Sequence, residues 1–316
     1  LVVPRILPKC RKIITVSQFE CDRIRTALGL DPERITAIYN GYNERFRPLD
    51  DVARTVGKYL SDPGYIFFLG NTDPKKNTSG TLRAYAEYVR RSEKPLPLLV
   101  ADLREQAAEE ILREIGAPEL RGMLRLPGYI PNGDLPAVYN GASAFLYTSL
   151  RESFGIPQLE AMACGTPVVT SNTSAIPEVA GPGAILVDPT SPTAIADALL
   201  RLETDPAFRA EQVAYGLERV KLFSWEETAR QLLALYEKHG QPLEVVVRQI
   251  VECCFIQPKE RPYQTNNAYT ALVRQFQMEQ EVNAIVQKAK KRNERKSAGQ
   301  AHPRRKERDS GRHPKV

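Results

Sequence analysis

The sequence predicts an α/β chain built on a doubly wound parallel sheet, and three observations carry that prediction. Short, mainly apolar runs of strand type recur at residues 65–69, 98–101, 123–126, 144–148, 168–170 and 184–187. Segments with apolar residues at helical spacing lie between them, so strands and helices alternate strictly. Loops carrying glycine or proline follow the carboxyl ends of three strands, at residues 70–77, 126–131 and 148–157.

Two elements precede this body. Residues 13–16 read as a strand, followed by Ser17 as a helix N-cap and an amphipathic helix through Ile24 and Leu28 that stops at Gly29. Residues 35–39 form a second strand, and residues 40–48, with turn residues and a proline, read as a connection between domains. In the body, strand 65–69 ends at Gly70, and Asn77 caps a helix with Leu82, Tyr85, Ala86 and Val89 on one face. Strand 98–101 leads to a helix through Ala107, Ile111 and Ile115. Strand 123–126 is followed by a loop at 127–133 and a short helix capped by Asp134. Strand 144–148 feeds a loop and a helix that Pro157 opens. Strands 168–170 and 184–187 complete the sheet, and three helices end near Tyr236.

After Gly240 the pattern changes. Residues 243–256 are apolar but too short to span a bilayer, residues 268–289 can form a helix, and dense charge from Lys290 onward predicts disorder. The expected organisation is residues 1–48 as the end of a first Rossmann-like domain with its linker, 49–239 as a second Rossmann-like domain, and 240–316 as an appended tail.

The net charge of +6 is unevenly distributed. Residues 288–316 hold 12 Lys+Arg against 3 Asp+Glu, which leaves 32 against 35 for the rest. The body is therefore mildly acidic and gives no reason to expect nucleic acid as a partner. The basic tail, residues 288–316, reads as a solvated charge run; the alternatives are binding of anionic lipid, with peripheral contact at the inner face of the membrane, binding of nucleic acid, or a targeting role. Five cysteines show neither metal-ligand nor disulfide-framework spacing, and residues 1–4 do not begin a signal peptide, so a cytoplasmic chain with reduced thiols is expected.

Three loops carry the chemistry. Residues 70–77 leave a strand and enter a helix N-terminus, where free amides, the helix dipole, Lys75 and Lys76 make an anion site. Residues 126–131 set Tyr129 beside the strand ends, where an aromatic ring or backbone amides could face a nucleobase. Residues 152–167 hold Glu152 in a loop and Glu160 on the helix behind it. Paired carboxylates also serve glycosidases, across a sugar ring. Here both acids come from one loop and the helix it feeds, which places them along one wall of a cleft.

The run Glu152-Ser-Phe-Gly-Ile-Pro-Gln-Leu-Glu160 resembles the E-x7-E signature of retaining glycosyltransferases of family 4, which have the GT-B fold. Supporting motifs stand in register: Ile14 to Ser17, Ile38 to Gly41 with Phe46-Arg-Pro48, Gly70 to Asn77, Gly128-Tyr-Ile130 and Phe223-Ser-Trp-Glu226. The resemblance implies transfer of a hexose, mannose or glucose, from a UDP- or GDP-linked sugar to an acceptor glycan or lipid-linked saccharide, with retention and with neither metal nor cofactor. It implies that Glu152 contacts donor-sugar hydroxyls, that Glu160 accepts from the nucleotide ribose, and that Lys76 neutralises the leaving diphosphate. Gly70, Asn71 and Lys75 would line the phosphate loop, Tyr129 and Ile130 the base, and Ser153 with the amides of Phe154, Gly155 and Ile156 the sugar and phosphate. Asn71 stands where many members carry arginine, and Ser153 replaces the commoner glycine. The resemblance also implies that most of a first, acceptor-binding domain is absent; the competing expectation is a non-catalytic nucleotide-sugar-binding subunit, or half of a split enzyme.

Overall fold

Six apolar runs of the sequence become six parallel strands in the computed structural model, which describes residues 7–61 and 64–239. The strands are β3 (Tyr65–Leu69), β4 (Leu98–Ala101), β5 (Leu124–Gly128), β6 (Ala142–Tyr147), β7 (Val168–Ser171) and β8 (Ile185–Val187), in the order β5-β4-β3-β6-β7-β8. Before them, β1 (Ile13–Thr15) and β2 (Ile35–Ala37) pair in parallel as a separate two-stranded sheet. The chain divides into two units, Leu1–Leu232 and Leu233–Val316, and of the second only residues 233–239 are described. The expected apolar run, helix and disordered basic segment of the tail lie outside the described residues.

Alternation along each strand sorts the core into two layers. Tyr65, Phe67, Leu99, Ala101, Phe145, Tyr147 and Val168 pack on one face; Ile66, Phe68, Leu98, Val100, Ala144, Leu146 and Val169 pack on the other. The first face is covered by α5 (Leu135–Gly141), α6 (Ile156–Ala163) and α7 (Ile176–Ala180). The second is covered by α3 (Thr78–Arg91), α4 (Glu105–Glu114) and α8 (Pro192–Thr204). Both faces being buried explains why the strands read as continuous apolar runs.

The remaining helices are α1 (Gln18–Leu28), α2 (Ala53–Val56), α9 (Pro206–Arg219) and α10 (Trp225–Lys238). Ser17 caps α1 as expected, its Oγ accepting from the Glu20 N–H at 3.2 Å. A second cap comes from far along the chain: the Glu178 carboxylate on α7 accepts the N–H groups of Gln18 and Phe19 at 2.6 and 2.9 Å. The segment after β2 meets the start of α10 at Gly41, where a Cβ would lie 2.1 Å from the Trp225 backbone nitrogen. Only glycine permits that approach. The Thr228 hydroxyl then donates to the Tyr39 carbonyl at 2.5 Å, and the Tyr39 ring meets Phe154 and Phe223 at 6.0 Å each. Partial burial and a hydrogen bond with Glu178 push the Tyr39 phenol up to about 12.

Asn77 and Asp134 stand at the expected N-cap positions, but neither side chain makes the capping hydrogen bond. Asn77 adopts a left-handed conformation (φ 57°) and makes no side-chain cap; its amide instead donates to the carbonyls of Thr148 and Pro189 at 3.1 and 2.8 Å. Asp134 makes no cap either, because its carboxylate is taken by the Tyr59 hydroxyl at 2.6 Å and by Lys58 at 2.9 Å.

Candidate active site

The strand order turns back between β3 and β6. The helix after β3 covers one face of the sheet and the helix after β6 covers the other, which makes the carboxyl ends of these two strands the switch point where open α/β sheets bind ligands. Both loops carry motifs singled out in the sequence, residues 70–77 after β3 and 148–155 after β6.

The first loop is folded by its own short side chains. Asn71 Oδ1 accepts from the Asp73 N–H at 2.9 Å, and Asp73 Oδ1 accepts from the Lys75 N–H at 3.1 Å, which closes a 3-10 turn over Pro74–Lys76. The second loop is stitched to it: the Leu150 N–H donates to the Lys75 carbonyl at 2.7 Å, and Asn77 holds the Thr148 carbonyl. This registration brings Lys76 Nζ to 2.7 Å from Glu152 Oε1, with side-chain exposures of 21% and 16%. The ammonium also lies 5.5 Å from the centroid of the buried Tyr147 ring, an attractive cation–π placement.

The Glu152 backbone is held from the other side. Its N–H donates to Ser174 Oγ at 3.0 Å and its carbonyl accepts from the Ala175 N–H at 3.4 Å. Phe154 turns its ring into the core against Tyr39 and Phe223, so what it can offer a ligand is its backbone amide. Gly155 sits at φ 100° and starts α6. The amides of Phe154, Gly155 and Ile156 precede any intrahelical acceptor and stand at the positive end of the helix. On α6 the half-buried Glu160 accepts from the Tyr139 hydroxyl at 3.2 Å through Oε2.

The other predicted residues divide. Gly70 donates its N–H to the Ala101 carbonyl at 3.2 Å and closes β3. Lys75 pairs with Asp73 at 3.2 Å instead of joining Lys76 on Glu152. Tyr129 is 42% exposed at the carboxyl end of β5, so ordinary core packing does not account for it, whereas Ile130 is buried. Ser153 Oγ donates to Glu20 Oε1 at 3.4 Å, and Glu20, itself buried, also pairs with Arg23 at 2.7 Å and Arg151 at 3.5 Å. Sequence reasoning missed Tyr139, Tyr147, Ser174 and Glu20. Tyr147 alone had a local signal, as the last aromatic residue of a strand that opens on the motif. Cys164 is held inert: burial, and secondarily the nearby Glu160 charge, push its thiol up to about 12.

Residues 53–219, more than half of the chain, match the family described as glycosyl transferases group 1. The chain belongs to this family. Among its relatives is the O-antigen chain mannosyltransferase B of Escherichia coli, 32% identical over 234 residues, which cover 73% of this chain and 61% of that protein. Another is the MMP alpha-(1->4)-mannosyltransferase of Mycolicibacterium hassiacum, 30% identical over 74% of this chain and 56% of the relative. The chain thus spans little more than half the length of these glycosyltransferases. Sucrose-phosphate synthase from Thermosynechococcus elongatus superposes with a TM-score of 0.65 at 27% identity, covering 76% of this chain and 61% of that one. Anabaena Alr3699/HepE in complex with UDP and glucose shares the fold at TM-score 0.64 and 17% identity, over 72% of this chain and 63% of its own. These neighbours are GT-B glycosyltransferases, and the doubly wound sheet is the fold they share with this chain.

Proposed function

We propose that the chain carries the donor side of a retaining hexosyltransferase that uses a nucleotide-diphosphate sugar, with Glu152 and Glu160 as the two acids of an E-x7-E motif. The observation that carries this reading is the Lys76–Glu152 pair, 2.7 Å apart past the carboxyl ends of the neighbouring strands β3 and β6. A lone ion pair there would be structural. Beside the unpaired amides of a helix N-terminus, the same two groups match the halves of a sugar phosphate: a cation for the diphosphate and an acceptor for sugar hydroxyls.

In the proposed reaction the bond between the anomeric carbon and the phosphate oxygen breaks, and a bond from that carbon to an acceptor oxygen forms on the same face. The acceptor proton passes to the departing phosphate. Negative charge grows on the diphosphate as the bond lengthens, so Lys76 and the amides of Phe154, Gly155 and Ile156 stabilise the transition state more than the ground state. Removing one such donor typically costs about 10²–10³ in rate. Gly70, Asn71 and Lys75 would shape the phosphate loop, Tyr129 and Ile130 would face the base, Ser153 would fix the loop through Glu20, and no metal or cofactor is invoked. Mannose is the sugar favoured by the names of the relatives. The acceptor would be a saccharide or lipid-linked glycan, and the proposed domain division at residues 48 and 239 leaves the acceptor wall to a first domain.

Titration calorimetry with a panel of UDP- and GDP-hexoses tests the reading. One member should bind, and Lys76→Met should weaken it at least about tenfold, the loss of one charge-assisted contact. Absence of heat with every nucleotide sugar would sink the proposal.

A further inference from the structure

We infer that Tyr139 is a positioning residue for Glu160, holding that carboxylate in the one orientation in which it can receive a vicinal diol. The inference rests on the reading of Glu160 as the ribose acceptor and deepens it. Tyr139 lies on α5, not on the motif, and no part of its ring is exposed. Three aromatic neighbours grip it edge to face: Phe46 at 5.8 Å, Phe67 at 5.2 Å and Phe145 at 5.1 Å, with interplanar angles of 71°, 73° and 86°. A tyrosine has two rotatable side-chain bonds, and a ring so enclosed leaves neither free to turn. The position of its hydroxyl is therefore set by the core.

That hydroxyl donates to Glu160 Oε2 at 3.2 Å. Glutamate has a broad, soft final torsion, and a hydrogen bond from a fixed donor narrows the carboxylate planes that it samples. Two more contacts hold the donor in place: the Thr166 hydroxyl donates to the Tyr139 carbonyl at 2.7 Å, and the helix bearing Glu160 packs in the same apolar cluster as Tyr139. A carboxylate offers about four lone-pair sites, and the bond from Tyr139 takes one of them. The arrangement fixes the acceptor before the ligand arrives, which lowers the ordering cost of binding. Phenylalanine at this position would fill the same volume and lose only the donor.

The experiment compares wild type, Tyr139→Phe, Glu160→Ala and the double variant of the full chain. Each is titrated with the nucleoside diphosphate, UDP or GDP, that wild type binds better, and with its 2′,3′-dideoxy analogue. Tyr139→Phe should weaken the ribonucleotide about three- to tenfold, the range for one hydrogen bond, and leave the dideoxy analogue unchanged. In the double variant it should add nothing to Glu160→Ala, because the group it positions is gone. Equal weakening of both ligands by Tyr139→Phe would mark a merely structural role and overturn the inference, as would unchanged ribonucleotide binding in that variant. If Glu160→Ala keeps the full preference for the ribonucleotide, the ribose reading itself fails and takes this inference with it.

Discussion

Gly155→Ala is the substitution that most directly couples the backbone to the site. Gly155 holds φ 100° at the start of α6, a conformation that costs an L-residue about 1–2 kcal/mol. The added Cβ would also stand 2.9 Å from Gln158 Nε2 and 3.1 Å from the Tyr147 ring. Neither neighbour can yield: Gln158 is fully buried, with its amide oxygen accepting from Thr170 at 3.2 Å, and Tyr147 is 2% exposed and stacked on Phe145. Overpacking of this kind costs about 1–3 kcal/mol. The sum, about 2–5 kcal/mol, corresponds to a fall in melting temperature of roughly 4–20 °C for a folded body of this size. Because Tyr147 lies under Lys76, the surviving fold should also bind nucleotide sugar more weakly. Thermal unfolding with and without ligand measures both effects, and Gly133→Ala serves as the control, since a Cβ there meets nothing within 4 Å. A Gly155→Ala melting temperature less than about 2 °C below wild type would refute the reasoning, because the left-handed term alone amounts to at least about that.

The remaining predictions concern the frame around the site. Glu178→Ala removes the acceptor for two α1 amides and should cost about 1–2 kcal/mol. Hydrogen exchange should quicken at Gln18 and Phe19 while the β3 and β6 amides keep their protection; unchanged exchange at both α1 positions would show that the cap contributes nothing. Asp134 is depressed below the ordinary carboxylate range: burial raises it, but the Tyr59 hydroxyl and Lys58 together outweigh that. A depressed folded value means the stabilisation is complete above the unfolded value near 3.9 and is lost as pH falls through the folded one. Asp134→Asn should therefore lower the urea midpoint at pH 7, with a gap that narrows below about pH 4; a gap that widens in acid would contradict the assignment.

What could be read from the sequence was what local pattern determines. Strands 65–69 and 98–101 were legible to the residue because burial on both faces leaves an uninterrupted apolar run. β6 starts two residues before its apolar run, as Ser143 breaks the pattern, and β5 continues through Pro127 to Gly128, beyond the end expected at residue 126. That proline is tolerated because β5 is an edge strand, where a missing N–H breaks no ladder on the open side. Asn77 sits at the expected N-cap position, but where its side chain goes depends on distant carbonyls at Thr148 and Pro189. Glu178 reaching Gln18 across 160 residues and Tyr139 reaching Glu160 from another helix leave no local trace. The acids and the lysine of the candidate site could be named from two local motifs, residues 152–160 and 70–77; the groups that orient them could not, because topology alone brings those together.

The pairing of Lys76 with Glu152 bears on how such a site would discriminate. Both side chains are largely withdrawn from water, so separating them without replacement leaves two poorly solvated charges. On the proposed reading, a diphosphate alone draws Lys76 away and strands Glu152, while a free hexose offers donors to Glu152 and nothing to Lys76. A nucleotide sugar supplies both replacements at once, and Tyr147 beneath the ammonium keeps a favourable surface for it throughout the exchange. The ion pair then acts as a coincidence requirement: each half-ligand bears the desolvation of the partner it leaves behind, and only the intact donor escapes it. The same logic favours product release, since cleavage of the sugar–phosphate bond turns one complete ligand into two incomplete ones and lets Lys76 and Glu152 close on each other again.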